Sequence, residues 1–266
     1  MQLQRMAGLA ALSIALGGFS WGPAQAAASR ASACAPKNLA ALQGWNVVWS
    51  AENADGAKAG ISGHDPNPAN FQLLGNDAPW NAAGAERMRE VMRAASAASS
   101  HADAWGFPMM MASYSEFKFV ISPGETTVIN QYRDIRSIYT DGRGHVPDDE
   151  RWSTVWGDST GCWHGTTLTV DTVGVKYNRA FNVFAPPLSE QAHFVERIRL
   201  ISPGHLEDEV TITDPETLTR PWVVRVKYVP AGLDRLILDA FDDRFDPNGG
   251  PIKPPTDEAP AAAGSR

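Results

Sequence analysis

Four side chains in the second half of the sequence, Tyr139, Asp171, His193 and Glu196, are of types that give and take protons. Glu196 shares an alternating strand face with Phe194, Ile198 and Leu200. If that face points inward, the carboxylate is buried, and burial raises its pKa unless an opposite charge pairs with it. A raised carboxyl can act as a general acid or base. A paired one is a structural ion pair, and an inward Arg136 is a partner of the right type. His193 stands three residues earlier, an offset that puts it on the opposite strand face. The two form one site only if His193 opens its strand at the mouth of a barrel. Histidine suits proton transfer near neutral pH. Asp171 interrupts a strand of threonine and apolar residues, where it either orients a histidine or bonds a backbone turn.

Residues that could hold a ligand lie close by. Tyr139 leads into Thr140-Asp141-Gly142-Arg143-Gly144-His145, a glycine-rich loop in which Asp141-Gly142 is a turn signal. Tyr139, Arg143 and His145 could rim a barrel mouth, and Arg136 or Arg143 could clamp a carboxylate in a bidentate fork. Trp156, Trp163 and Trp222 either line a cavity or belong to the core. The six histidines (His64, His101, His145, His164, His193, His205) show no paired metal-ligand spacing, so no metal is expected. No nucleophile elbow, dinucleotide turn or phosphate loop occurs, so no cofactor is expected. With 30 acidic against 23 basic side chains, the net charge of -7 argues against a nucleic-acid partner.

The elements that must position these groups are mainly β. Residues 1–26 read as a signal peptide: Arg5 is the charged start, Met6 to Phe19 an apolar run too short to span a bilayer, and Ala24-Gln25-Ala26 the cleavage pattern. The expected location is periplasmic or secreted, with no integral membrane segment in the mature chain. Residues 27–113 form an irregular lead-in, with a short strand within Gln43–Trp49, turn signals over 62–82 and an amphipathic helix over about 82–99. Met88, Val91, Met92 and Ala95 fall on one face of that helix.

A β domain is expected over 114–245. Strands read at Glu116–Ile121, Thr126–Thr140 (two strands or one bent one), Trp152–Asp158, Thr166–Val175, Phe194–Ile201, Leu206–Thr213, Trp222–Val229 and Leu236–Phe241, with Gly161–Gly165 as a tight connection. In Trp222–Val229 the residues Trp222, Val224, Val226 and Tyr228 alternate with Val223, Arg225, Lys227 and Val229, a period of two with one wet face. Short connections imply an antiparallel meander. Closure into a lipocalin-like barrel removes its edges, and about eight strands enclose side chains or one small ligand. Residues 246–266 read as a disordered tail. Cys34 and Cys162 could pair in an oxidising compartment, though spacing alone does not place them in reach.

The motifs Ile138-Tyr139-Thr140-Asp141-Gly142-Arg143, Gly157-Asp158-Ser159-Thr160-Gly161-Cys162-Trp163-His164-Gly165 and Leu168-Thr169-Val170-Asp171-Thr172 occur in order. His193-Phe194-Val195-Glu196-Arg197, Glu209 to Pro215 and Thr219-Arg220-Pro221-Trp222 follow them. This series resembles a large group of secreted bacterial proteins of unassigned function, over roughly 106–243. The resemblance implies a compact β-rich, lipocalin-like fold and brings no established chemistry. Cys162-Trp163-His164-Gly165-Thr166 departs from the group's Arg-Trp-Glu-Gly-Asp and removes charge from one hairpin. Val146 replaces its usual proline.

Two expectations follow. The first is a periplasmic, cofactor-independent lyase or isomerase. It would act by decarboxylation, elimination or hydration on a hydrophobic aromatic molecule, plant-derived aromatics being one suitable class. Arginine would fix an anionic group, and His193 or Tyr139 would move a proton with Glu196 or Asp171 as partner. The second is a lipocalin-like binding protein for a lipophilic small molecule, without turnover. Oligomeric state is not legible in the sequence.

Overall fold

The computed structural model describes residues 33–52, 77–95, 105–112, 116–177 and 186–238. The leader at 1–26, most of the turn-rich stretch, His64, His101 and the tail at 246–266 lie outside the described residues. Nine strands follow in chain order: β1 (Trp49–Ala51), β2 (Phe117–Ile121), β3 (Glu125–Asn130), β4 (Ile135–Tyr139), β5 (Asp158–His164), β6 (Thr167–Val173), β7 (His193–Ser202), β8 (His205–Thr213) and β9 (Trp222–Pro230). Each pairs with the next, and β1 pairs with β9 as well as β2, so the sheet closes. The protein is a mainly-β closed barrel of lipocalin-like architecture. Closure uses Trp49–Ala51 from the lead-in, and α1 (Ala82–Ala95) and α2 (Met109–Ala112) also precede β2.

Alternation sets the faces. In β9, Trp222, Val224, Val226 and Tyr228 are buried while Val223, Arg225 and Lys227 are exposed. In β6, Leu168, Val170 and Thr172 point in, and Thr169, Asp171 and Val173 point out. Phe117 packs edge-on against Phe119 and Tyr228, and Trp45 packs against Phe119 and Trp163, which fills one part of the core. Val91 anchors α1 to the body.

Several local expectations are corrected. The meander is not wholly antiparallel: β4 and β5 run parallel, because residues 140–157 carry the chain back along the barrel before β5 begins. Gly161 to His164 is strand rather than connection, and the turn is Gly165-Thr166, with Gly165 at φ +65°. Gly161 is a packing glycine: a Cβ there would lie 2.7 Å from Ile138 Cγ2. Gln43–Trp49 opens as a 3-10 helix, Leu39–Trp45, capped by the Asn38 side chain, and the strand starts at Trp49. Trp152–Gly157 is loop. Ile237 and Leu238 are exposed and outside any strand, and 239–241 lie outside the described residues. The described helix runs to Ala95, and 96–99 lie outside.

Cys34 and Cys162 form a disulfide across 128 residues of chain. It ties the segment leading to β1 onto β5. Cross-linking so long a loop removes much unfolded-state entropy.

Candidate functional site

A polar belt runs round the inner wall. Six consecutive strands, β4 to β9, contribute Arg136, Ser159, Thr172, Glu196, Asp208 and Tyr228, all buried. The Arg136 guanidinium forks onto Glu196, with Nη1 2.9 Å from Oε1 and Nη2 on Oε2. It also donates to the Ser159 hydroxyl at 3.2 Å and the Thr172 hydroxyl at 2.8 Å. Phe107 stacks on its other side, 3.8 Å from ring centre to Cζ. Asp208 is two residues along β8 from Val210, the residue opposite Glu196, so the two carboxyls are diagonal neighbours on the inner face. Burial, and then the Glu196 charge, push the Asp208 carboxyl well above its usual range, so it keeps its proton to higher pH than a solvated carboxyl does. Burial and these two carboxyls likewise push the Tyr228 phenol up. Asp208 Oδ1 has no hydrogen-bond partner among the described residues.

A second cluster lies on the outside of the same wall. His193 opens β7 on the outward face, diagonal to Asp171 on β6. Its Nε2 is 2.9 Å from both Asp171 oxygens. His145, from the loop after β4, puts Nε2 2.8 Å from Asp171 Oδ1 and Nδ1 3.1 Å from Asp158 Oδ2. A neutral imidazole has one N–H, so both contacts of His145 are donated together only by its charged form. The result is a chain, Asp158–His145–Asp171–His193, that pins the loop to the barrel wall.

The structure therefore splits the expected site. Asp171, His193 and His145 come together outside, Arg136 and Glu196 inside, and the β6–β7 wall separates the groups. Arg143 stays on Asp141 and stacks over Tyr139, 4.2 Å from the ring centre. Its guanidinium holds the Asp141 carboxyl below the usual range. Trp163 and Trp222 are core residues; Trp163 donates to Thr126 at 3.1 Å.

A cleft opens between β4 and β5. The two strands pair only at Ile138–Ser159 and Tyr139–Thr160. Gly157, at φ +73°, turns the chain away just before β5, and a Cβ there would lie 2.7 Å from Val175. Among the described residues, the first half of β4 has no strand paired to it on that side. The gap is a cavity of about 320 Å³, within the range of small-molecule sites. Ile135, Tyr139, Val146, Trp152 and Trp156 give it apolar walls, and Arg136 and Ser159 of the belt form its floor. Arg151 and Asp158 supply charge at its sides. Ile135, Val146 and Trp152 are all exposed, Trp152 by 78%. Three apolar side chains exposed together around a concavity are characteristic of a contact surface.

Asp134 positions one wall. Its buried carboxylate accepts from Trp105 and Gly106 backbone N–H groups, Asn130 Nδ2 and Trp156 Nε1. Arg151, Trp152, Asp134 and Asp208 were missed by sequence reasoning. Only Asp208 carried a signal: it shares an alternating face with Leu206, Val210 and Ile212 in β8.

Among the described residues, no group of three or more histidine, cysteine or acidic side chains is placed to hold a metal ion, and no helix is long and apolar enough to cross a membrane. A closed barrel of this strand number is able to enclose one small hydrophobic molecule. No protein-family model matches the chain, and no curated protein matches it.

Proposed function

We propose that this is an exported, lipocalin-like protein that binds one small apolar or aromatic molecule, without turnover, at the cleft between β4 and β5. The cleft carries the reading: it is concave, aromatic-walled, open to solvent, and floored by Ser159 and by Arg136, which the buried Glu196 holds in place from behind. The Cys34–Cys162 bond and the leader-like residues 1–26 support a periplasmic or secreted address. The motif series supports membership of the secreted bacterial group. Titration with the neutral fluorophore N-phenyl-1-naphthylamine tests the binding. Saturable uptake should weaken about tenfold in Trp152→Ala, a loss of about 1.4 kcal/mol, and stay unchanged in Val223→Ser on the outer face of β9. Binding that does not saturate, or is indifferent to Trp152, overturns the reading.

One observation favours the lyase or isomerase reading. With Nε2–H given to Asp171, His193 keeps an Nδ1 that has no hydrogen-bond partner among the described residues, and Asp171 is contacted in turn by His145, which also bonds Asp158. That is the arrangement of an oriented general base. Product formation from an aromatic substrate that vanishes in His193→Asn, with affinity retained, supports turnover. Unchanged substrate after long incubation supports binding alone.

A further inference from the structure

We infer that the cleft selects an aromatic monocarboxylate and that Arg151 is its anion-binding group. The inference rests on the binding reading above. Two guanidiniums line the cleft, Arg136 and Arg151. Arg136 is committed: its fork is filled by Glu196, a carboxylate wholly buried behind it. Arg151 is held differently. Nη1 donates to the Val146 carbonyl at 3.1 Å, and the side chain lies over Gly174, where a Cβ would meet its Cδ and Nε at 3.2 Å. The guanidinium is thus positioned by backbone. Its charge partner is Asp148, at 2.7 Å, whose side chain is 92% exposed. An ion pair with so solvated a partner is weak and easily exchanged. A ligand carboxylate that takes Asp148's place gains a planar, pre-set donor fork.

The other charges fit this assignment. Asp158 also lines the cleft, but its Oδ2 is already held by His145 Nδ1 and the Val146 N–H, at 3.1 and 2.9 Å, which turns the carboxylate toward the 145–146 loop. It is therefore a poor competitor for Arg151. Asp148, Asp149 and Glu150 are all exposed beside the opening. Their repulsion scales with the charge on the ligand, which favours a singly charged anion over a doubly charged phosphate. The ring system has Trp152, Trp156 and Tyr139 to pack against.

The test compares 2-naphthoate with 2-naphthamide, which share a shape and differ in charge. Affinities are read by calorimetry near neutral pH. The acid should bind wild-type protein about tenfold or more tighter than the amide. Arg151→Gln should erase that gap while leaving amide affinity within about twofold, and Arg151→Lys should keep part of it. Asp148→Asn should strengthen the acid alone. Equal affinities in the wild type, or a gap that survives Arg151→Gln, overturn the anion assignment and leave the cleft standing. Failure of both ligands to bind overturns the cleft as well.

Discussion

Replacing Asp208 by Asn should stabilise the protein at neutral and alkaline pH and remove one pH dependence. Asp208 is wholly buried, and its carboxyl is raised first by desolvation and then by the neighbouring Glu196 charge, with Arg136 opposing in part. The native state therefore keeps a proton that the unfolded chain loses near the ordinary carboxyl value of about 3.9. Between that value and the raised native one, folding takes up a proton, so stability falls as pH rises. The slope for one proton is about 1.4 kcal/mol per pH unit. For a chain of this size it corresponds to a melting shift of about 3–6 °C per pH unit. Asn mimics the neutral carboxyl in size and cannot ionise. The assay is urea unfolding of both proteins between about pH 5 and about pH 8, under non-reducing conditions and at fixed ionic strength. The stability difference should grow in favour of Asp208→Asn as pH rises. Parallel curves would refute the reasoning, since Asp208 would then ionise alike in both states.

Three other perturbations probe the remaining supports. Arg136→Met or Glu196→Leu alone should cost about 3–5 kcal/mol, because each leaves a buried partner uncompensated, whereas the two together should recover most of that; additive losses in denaturant melts would contradict the ion pair. Changing both Cys34 and Cys162 to Ser should cost about 2–5 kcal/mol, and a melting temperature insensitive to this change would mean that the bridge does not constrain the chain. His145→Ala removes the link between Asp158 and Asp171; backbone amides in 140–157 should exchange faster with solvent while those of β7 and β8 do not, and uniform exchange would show that the loop is held by other contacts.

The two polar clusters show what a strand can conceal. Asp171 and His193 face outward while Glu196 faces inward, so neighbours in sequence end up on opposite sides of a wall. Period-two alternation made that separation readable: an offset of three residues changes face. The same alternation made the β9 faces and the inward Glu196 legible, and an inward Arg136 was one of two readings of its partner. The pattern is local and is enforced by burial of one face, which is why it survives without knowledge of the fold.

Other features depend on which segments meet. The parallel β4–β5 pair arises from the path of residues 140–157, and no period encodes a path. Gly161 and Gly157 are the same residue type, yet one packs against Ile138 inside a strand and the other turns the chain at φ +73°. The cleft exists because two strands separate, so its walls come from β4, β5 and a loop between them. His145 finds Asp158 and Asp171 across 13 and 26 residues of chain, and Asp134 reaches Trp156 from a different turn. The residues alone therefore determined a closed β fold, its inward and outward faces and the types of group available for chemistry. Tertiary structure decided which of those groups share a space, because hydrogen bonds and ion pairs act over a few ångströms whatever the distance along the chain.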